Sequence, residues 1–411
     1  MRLDRDSFRE IVDALVRNKS RSLLTGFGIF WGLFMLLFLL GGGQGVKQLI
    51  TKNFEGFASN ALILVSQNTS LPYKGMPEGR YWNLSLTDAE RLRNFIPELD
   101  VVTVNVSQWG QPFIHDEHSY DNGCIKCVNA DYSAIESPKL KYGRFLNEMD
   151  IKYERKVCVI GERVYEALFP DGGDPCGAFI QAGPVFFQVV GVDVKSGDIS
   201  INGSADETVT IPLPLGQKLY NRGSNVDIIC ATAKPGVKVT DIEPRVRQVL
   251  ARQHMFDPED ESALMILNTQ QLFTLMDTLF KGINFLLWLV GLGTLLAGAI
   301  GVSNIMMVTV RERTTEIGIR RAIGATPRDI LSQIILESVM LTLIAGSAGI
   351  VFSVLCLRVL EMASSDGGTF MIGFGLAVAA ALLLTLLGVI AGLAPASRAM
   401  NIKPVDAMRD E

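Results

Sequence analysis

The chain is poor in the residues that build metal, redox and hydrolytic centres. Its 411 residues include three histidines and six cysteines. Five of the cysteines, Cys124, Cys127, Cys158, Cys176 and Cys230, fall in one stretch of soluble character, and an odd number leaves no complete disulfide framework. Cys124-x-x-Cys127 has redox-type spacing. On a strand, which the run 124–128 suits, residues three apart point to opposite faces. His115-x-x-His118 and His254 are the histidines a metal would need, and nothing else in the sequence points to one. No Ser/His/Asp or paired-carboxylate arrangement stands out. No G-x-x-x-x-G-K-[ST] phosphate loop occurs. Gly41-Gly42-Gly43-Gln44-Gly45 lacks the lysine and follows an apolar run, so it reads as a flexible exit. A large excess of charge of one sign is also missing. The formal net charge is −5 with no massively basic face or tail, which gives no reason to propose nucleic acid as a partner.

What is present is an uneven distribution of apolar residues. Hydrophobic residues make up 48% of the chain, close to the soluble norm. They concentrate near residue 30 and again after residue 283. The run 23–40 has about the ~20 residues that span a bilayer, and no A-x-A-like cleavage site follows, so it reads as a retained span and not a cleaved signal. The runs 283–308, 339–357 and 370–394 are long enough to be three more.

Four spans place both termini on one side, and the positive-inside rule selects that side. Residues 1–22 carry Arg2, Arg5, Arg9, Arg17, Lys19 and Arg21; the loop 311–330 carries Arg311, Arg313, Arg320, Arg321 and Arg328. The tail adds Arg398, Lys403 and Arg409. The loop 359–369 has none, with Arg358 at its edge placed to snorkel to the interface. The termini and the 311–330 loop are therefore expected in the cytoplasm, and the segment from about 43 to 281 outside. Phe8, Ile11, Val12, Leu15 and Val16 recur at helical spacing with arginines elsewhere on the wheel. They fit an amphipathic helix on the inner leaflet, or a short helix packed on protein.

The outer segment of about 240 residues is too long for a loop and must fold. Strand-like runs are 61–66, 101–107, 157–160, 186–192, 209–213 and 226–232. Thr87-Asp88-Ala89-Glu90 and Thr240-Asp241-Ile242-Glu243 read as capping boxes opening helices, and 162–169 as a third helix. The expected class is an α+β membrane protein with four transmembrane helices. The large α+β extracytoplasmic domain, of two sublobes with the middle one inserted in the other, lies between the first and second helices. Leu272, Phe273, Met276, Leu279, Phe280 and Ile283 carry a helical stripe into the second span, and nothing in 269–310 breaks it. At 1.5 Å per residue that is a rod of roughly 60 Å, about twice the hydrocarbon thickness. A stalk is expected, with residues 46–57 as its partner. The domain bounds are 1–45, 46–281 and 282–411.

Within the spans, Gly28-x-x-x-Gly32 and Gly388-x-x-x-Gly392 fit close helix packing against unknown partners. Glu337 falls about ten residues past Pro327, ~15 Å along the axis and near the inner interface, where a structural hydrogen bond suits it better than a proton relay. Residues 301–325 read GVSNIMMVTVRERTTEIGIRRAIGA: a span ends and a charged helical segment follows. Thr326-Pro327-Arg328-Asp329 then restarts a helix, with Thr as N-cap and Pro at N1. A short cytoplasmic helix between two spans is a device for docking a partner; the alternative is a solvated inner loop.

ERTTEIGIRRAIGA at 312–325, the ending GLAPASRAMNIKPVDAMRDE and the opening RNKSRSLLTGFGIFWG resemble the FtsX-like ABC transporter permeases of the MacB type. GRFLNEMD, VCVIGE, ALFP and VVGV are similar, in order, to the MacB-type periplasmic domain. The resemblance implies a permease that is not itself an enzyme and has no cofactor in this chain, with ATP and Mg on a separate ABC ATPase subunit. It implies a second permease copy or paralogue, an inner-membrane location, and a stalk that transmits motion to the periplasmic domain. It also implies a periplasmic adaptor, an outer-membrane channel and contact with membrane lipid. The ATPase-coupling element falls on Arg313, Glu316, Ile317, Gly318, Arg320, Arg321 and Ile323. Ile317 and Ile323 are expected as apolar teeth, Gly318 as a point of close approach, and the charged residues as orienting contacts. The function implied is export or extraction of a periplasmic substrate. Lipoprotein release and the gating of a cell-wall hydrolase are the alternatives.

Overall fold

The computed structural model describes residues 19–194, 197, 199–363 and 370–401. The amphipathic stretch around Phe8–Val16 and the basic tail beyond 401 lie outside the described residues. Two units are formed, one by 1–49 with 279–411 and one by 50–278.

In the 50–278 unit, twelve strands form among the described residues, and ten of them join one sheet. These are β1 (Ala61–Ser66), β3 (Leu99–His115), β4 (His118–Val128), β5 (Lys139–Gly143), β6 (Val157–Gly161), β7 (Phe179–Ala182), β8 (Val185–Val194), β9 (Thr208–Pro212), β11 (Ile228–Ala233) and β12 (Leu264–Asn268). The order is β12-β1-β11-β3-β4-β9-β6-β8-β5, with β7 pairing both β3 and β8. The short β2 (Leu84–Ser85) and β10 (Asn225–Val226) pair separately. The strands β12, β1, β11 and β3 come from the two ends of the segment, and the rest of the sheet comes from its middle. The two sublobes are thus parts of a single sheet, joined where β3 pairs with β4 and, at its far end, with β7.

Period-two alternation divides the apolar residues between the faces of this sheet. Leu62, Leu64, Cys158, Ile160, Ile229 and Ala231 pack in one core with Leu92 of α2 (Leu86–Phe95) and with Ile242, Val246 and Leu250 of α6 (Val239–His254). Ala61, Ile63, Val157, Val159, Ile228 and Cys230 face a second core with Tyr132, Ile135 and Leu146. One-residue offsets along β1, β6 and β11 therefore serve two cores, so these strands are buried on both faces, while the edge strands β5 and β12 keep exposed residues.

Both capping signals land differently from expectation. The N-cap of α2 is Ser85, two residues before Thr87, and its box closes on Asp88: the Ser85 amide donates to Asp88 Oδ2 at 2.9 Å. Asp88, which is N3 once Ser85 is the N-cap, also accepts from His254 Nε2 at 2.8 Å, a tertiary bond that helps hold its carboxylate in place. The helix α6 begins one residue before Thr240, and its first amide, on Val239, donates to Gln270 Oε1 at 2.7 Å. That partner is thirty-one residues away and invisible to a local pattern. Three shorter helices, α3 (Glu148–Lys152), α4 (Glu162–Leu168) and α5 (Leu213–Leu219), complete the unit.

Among the described residues, α1 (Lys19–Lys52), α7 (Thr269–Glu312), α9 (Pro327–Ala363) and α10 (Phe374–Met400) are long and apolar enough to cross a membrane. The short α8 (Thr314–Ala322) falls between α7 and α9. The helix α1 does not loosen at Gly41-Gly42-Gly43; it stays helical to Lys52, so no flexible exit forms there. The helix α7 is 44 residues, ~66 Å at 1.5 Å per residue, in keeping with a stalk. Residues after the first span do lie beside it: Lys47 Nζ is 5.7 Å from the Phe280 ring centroid, and Phe54 meets Phe273 edge-on at 5.2 Å.

The glycine spacings have partners. Gly28 faces Gly298 of α7, where a Cβ would already touch the opposing backbone. Gly388 and Gly392 face Val339, Thr342 and Ser338 of α9 in the same way. Small residues there let helix axes approach closely.

Candidate functional site: the helix between the second and third spans

The helix α7 ends at Glu312, and Arg313 breaks the geometry with φ −96° and ψ 15° before α8 begins. The restart at α9 follows its sequence signal: Thr326 Oγ1 accepts from the Asp329 amide at 3.3 Å, and Asp329 Oδ2 accepts from the Thr326 amide at 3.1 Å. The short helix is therefore bounded on both sides by local chemistry.

Three arginines tie α8 to the bundle. Arg313 Nη1 lies 3.4 Å from Glu337 Oε1 in α9. Arg320 Nη1 donates to Gln333 Oε1 at 2.9 Å, also in α9. Arg321 Nη1 donates to the Met400 carbonyl at the end of α10 at 3.0 Å. Glu337 is buried, as a structural partner should be, and a cleft lined in part by Val310, Ile330, Ile334, Arg313 and Gln333 surrounds this junction.

The expected coupling residues separate into two groups. Ile317 and Gly318 are buried, and Ile317 joins the bundle core with Val310, Ile330 and Ile334. Ile317, expected as an apolar tooth, packs within its own membrane unit. Gly318, expected as a point of close approach, is buried as well. Ile323 is 82% exposed, and Glu316 is half exposed, paired with Arg320 Nη2 at 2.9 Å. Ile319, 46% exposed, was not among the expected residues. It lies four before Ile323, so the two form an outward apolar pair that a helical stripe 319–323 would have revealed. Arg313, Arg320 and Arg321, expected as orienting contacts, each bond to a neighbouring span, and Arg320 also pairs with the half-exposed Glu316.

The cysteines and histidines form no comparable constellation. All six cysteines are free thiols. Cys124 and Cys127 are both buried on β4, and burial pushes the Cys127 thiol up to about 12. His115 and His118 face each other across the β3–β4 turn, with His115 Nδ1 2.8 Å from the Phe179 carbonyl. Burial alone would raise the Asp88 carboxyl, but the hydrogen bonds from His254 and Ser85 and the His254 charge outweigh it and hold it below its usual value. Among the described residues no group of three or more His, Cys, Asp or Glu side chains is placed to hold a metal ion.

Among the described residues, four helices able to cross a membrane, a sheet domain set in sequence between the first and second, and a short helix between the second and third define a multi-pass membrane protein. The chain belongs to the family described as the MacB-like periplasmic core domain, which matches residues 22–249; residues 288–404 match the FtsX-like permease C-terminal family. It is similar to the pyoverdine export ATP-binding/permease protein PvdT of Pseudomonas syringae pv. tomato, 33% identical over 96% of this chain. It is also similar to the macrolide export ATP-binding/permease protein MacB of Bdellovibrio bacteriovorus, 29% identical over 97% of this chain. The chain spans 58% and 60% of the length of these two relatives. A crystal structure of the periplasmic region of MacB from Actinobacillus actinomycetemcomitans aligns with 56% of this chain and 97% of its own. The TM-score is 0.44 and the identity 21%.

Proposed function

We propose that this chain is the membrane subunit of a MacB-type ABC transporter whose ATP hydrolysis occurs on a partner ATPase. The observation that carries the reading is the outward pair Ile319 and Ile323. They sit on a short helix whose other face is fastened to two neighbouring spans by Arg313, Ile317, Arg320 and Arg321. An apolar ridge on a helix anchored in this way suits a groove on a soluble domain. The 411 residues contain no phosphate loop of their own.

Arginines at 311–330 and near the N-terminus favour the cytoplasm for this helix and for both termini, with the 50–278 unit in the periplasm. ATP-driven movement of the short helix is passed along the 44-residue α7 to the sheet domain. The work done there is export or extraction of a periplasmic substrate, with a second permease copy, an adaptor and an outer-membrane channel as further partners.

The test is capture and cross-linking. A cysteine at position 319 or 323 should cross-link to a co-purifying ATPase in membranes, and the chain alone should show no saturable ATP binding. ATP binding by this chain alone would overturn the reading. A coiled-coil adaptor among the partners of the outer domain supports export; a lipoprotein carrier or a cell-wall hydrolase there would replace it.

A further inference from the structure

We infer that the Arg313–Glu337 pair is the joint through which the short helix moves the third span, so that both act as positioning residues for coupling. The inference rests on α8 being the docking element proposed above.

Arg313 occupies the break between α7 and α8, at the one residue whose backbone leaves helical geometry. Its guanidinium reaches a carboxylate 24 residues away in α9. Glu337 is buried, with side-chain exposure of 9%, and lines one cleft with Ile330 and Ile334. The tie joins two charged groups, Arg313 and Glu337, while Arg320 donates to the Gln333 amide oxygen and Arg321 to the Met400 carbonyl. A buried ion pair resists separation more than either, because parting it leaves a charge without compensation. Arg313 is also a third exposed, so it can follow a displacement of α8 while still engaged.

Glu337 is well placed to relay that displacement. Ser338, the next residue, is fully buried and is among the atoms that a Cβ on Gly392 of α10 would meet. Val339 and Thr342, one turn along, face Gly388. A shift of this turn of α9 is thereby handed to α10 through close packing with little slack. The route runs from the outward ridge to Arg313, to Glu337, and through the 338–342 turn to the fourth span.

Full-length complexes with the captured ATPase, reconstituted in nanodiscs, distinguish a joint from a mere anchor. The readout is the ATP-dependent change in amide hydrogen exchange over residues 330–345. The variants are Glu337→Met, Arg313→Glu and the double swap R313E/E337R. An apolar residue of similar volume at 337 keeps the bundle packed, and Arg313 can turn to water. ATPase capture should stay within about twofold of wild type in Glu337→Met and Arg313→Glu, while the ATP-dependent exchange change falls by about fivefold or more. The double swap should restore it to within about twofold. An unchanged exchange response in Glu337→Met, or no recovery in a swap that still captures ATPase, overturns the joint and leaves the docking reading intact. Failure of the wild-type chain to capture an ATPase overturns both.

Discussion

Ile317 and Ile323 belong to one short helical segment and face opposite ways: Ile317 is 9% exposed in the bundle core, and Ile323 is 82% exposed. Six residues at 100° each turn the second about 240° from the first. Replacing Ile323 by Asp should cut ATPase capture by about tenfold with unchanged membrane level, since a charge at an apolar contact costs on the order of 1–3 kcal/mol. Replacing Ile317 by Ala should instead destabilise the bundle by roughly 2–4 kcal/mol and lower the protein's thermal stability in detergent. Equal effects of the two on capture would contradict this division.

Glu316 is the half-exposed carboxylate beside the outward ridge. Glu316→Lys reverses the charge there and breaks its pairing with Arg320. Loss of ATP-driven function and weaker ATPase capture are expected, because facing like charge across an interface costs several kcal/mol. Reversal at Glu361, at the far end of α9, should do little. Normal function in Glu316→Lys would reduce α8 to a solvated loop and shift the coupling to another cytoplasmic segment.

Asp193, in β8, titrates unusually: burial and the nearby Glu136 charge push its carboxyl up to about 7, against help from the Lys139 amide and Lys126. A raised carboxylate pKa means the folded domain holds the proton more tightly than the unfolded chain. The resulting stability is present below the ordinary value of 3.8 and is lost as pH rises through about 7. Allowing for partial screening by water, the loss is on the order of 1–2 kcal/mol. Asp193→Asn should abolish that dependence and be the more stable form at about pH 8. Hydrogen exchange of the sheet core in the full-length chain at about pH 5 and about pH 8 measures it, and identical profiles for the two proteins would refute it.

Cys124 and Cys127 are buried free thiols, and the second is pushed up to about 12, so thiolate chemistry is suppressed at neutral pH. A membrane-impermeant charged maleimide should label neither in the folded protein. Cys124→Ser with Cys127→Ser should keep transport, at a stability cost of roughly 1–2 kcal/mol from burying hydroxyls. Complete loss of function with normal membrane level would reveal a redox or metal role.

The arginine distribution predicts cytoplasmic termini. An alkaline phosphatase fusion after residue 150 should be active, and one at the C-terminus inactive. Activity at the C-terminus would break the four-span arrangement.

Much of the architecture was legible because it depends on local rules. Span number follows from runs of apolar residues long enough to cross hydrocarbon. The central strands follow from β-branched runs that form wherever both faces can be buried, and 61–66 was legible to the residue. The restart at Thr326-Pro327 is likewise a contract between neighbours. Other features needed residues far apart in sequence. The first turns of α2 and α6 are bonded to the distant His254 and Gln270. The tie between Arg313 and Glu337 spans 24 positions. The same separation of causes divides the short helix itself. Its existence, length and charge are written in residues 312–325, but any stripe of isoleucines at 317, 319 and 323 could turn either way. Only the apolar surface offered by Val310, Ile330 and Ile334 decided that Ile317 goes in, and that Ile319 and Ile323 are left facing out, because burial is won by whichever side chain meets a complementary surface.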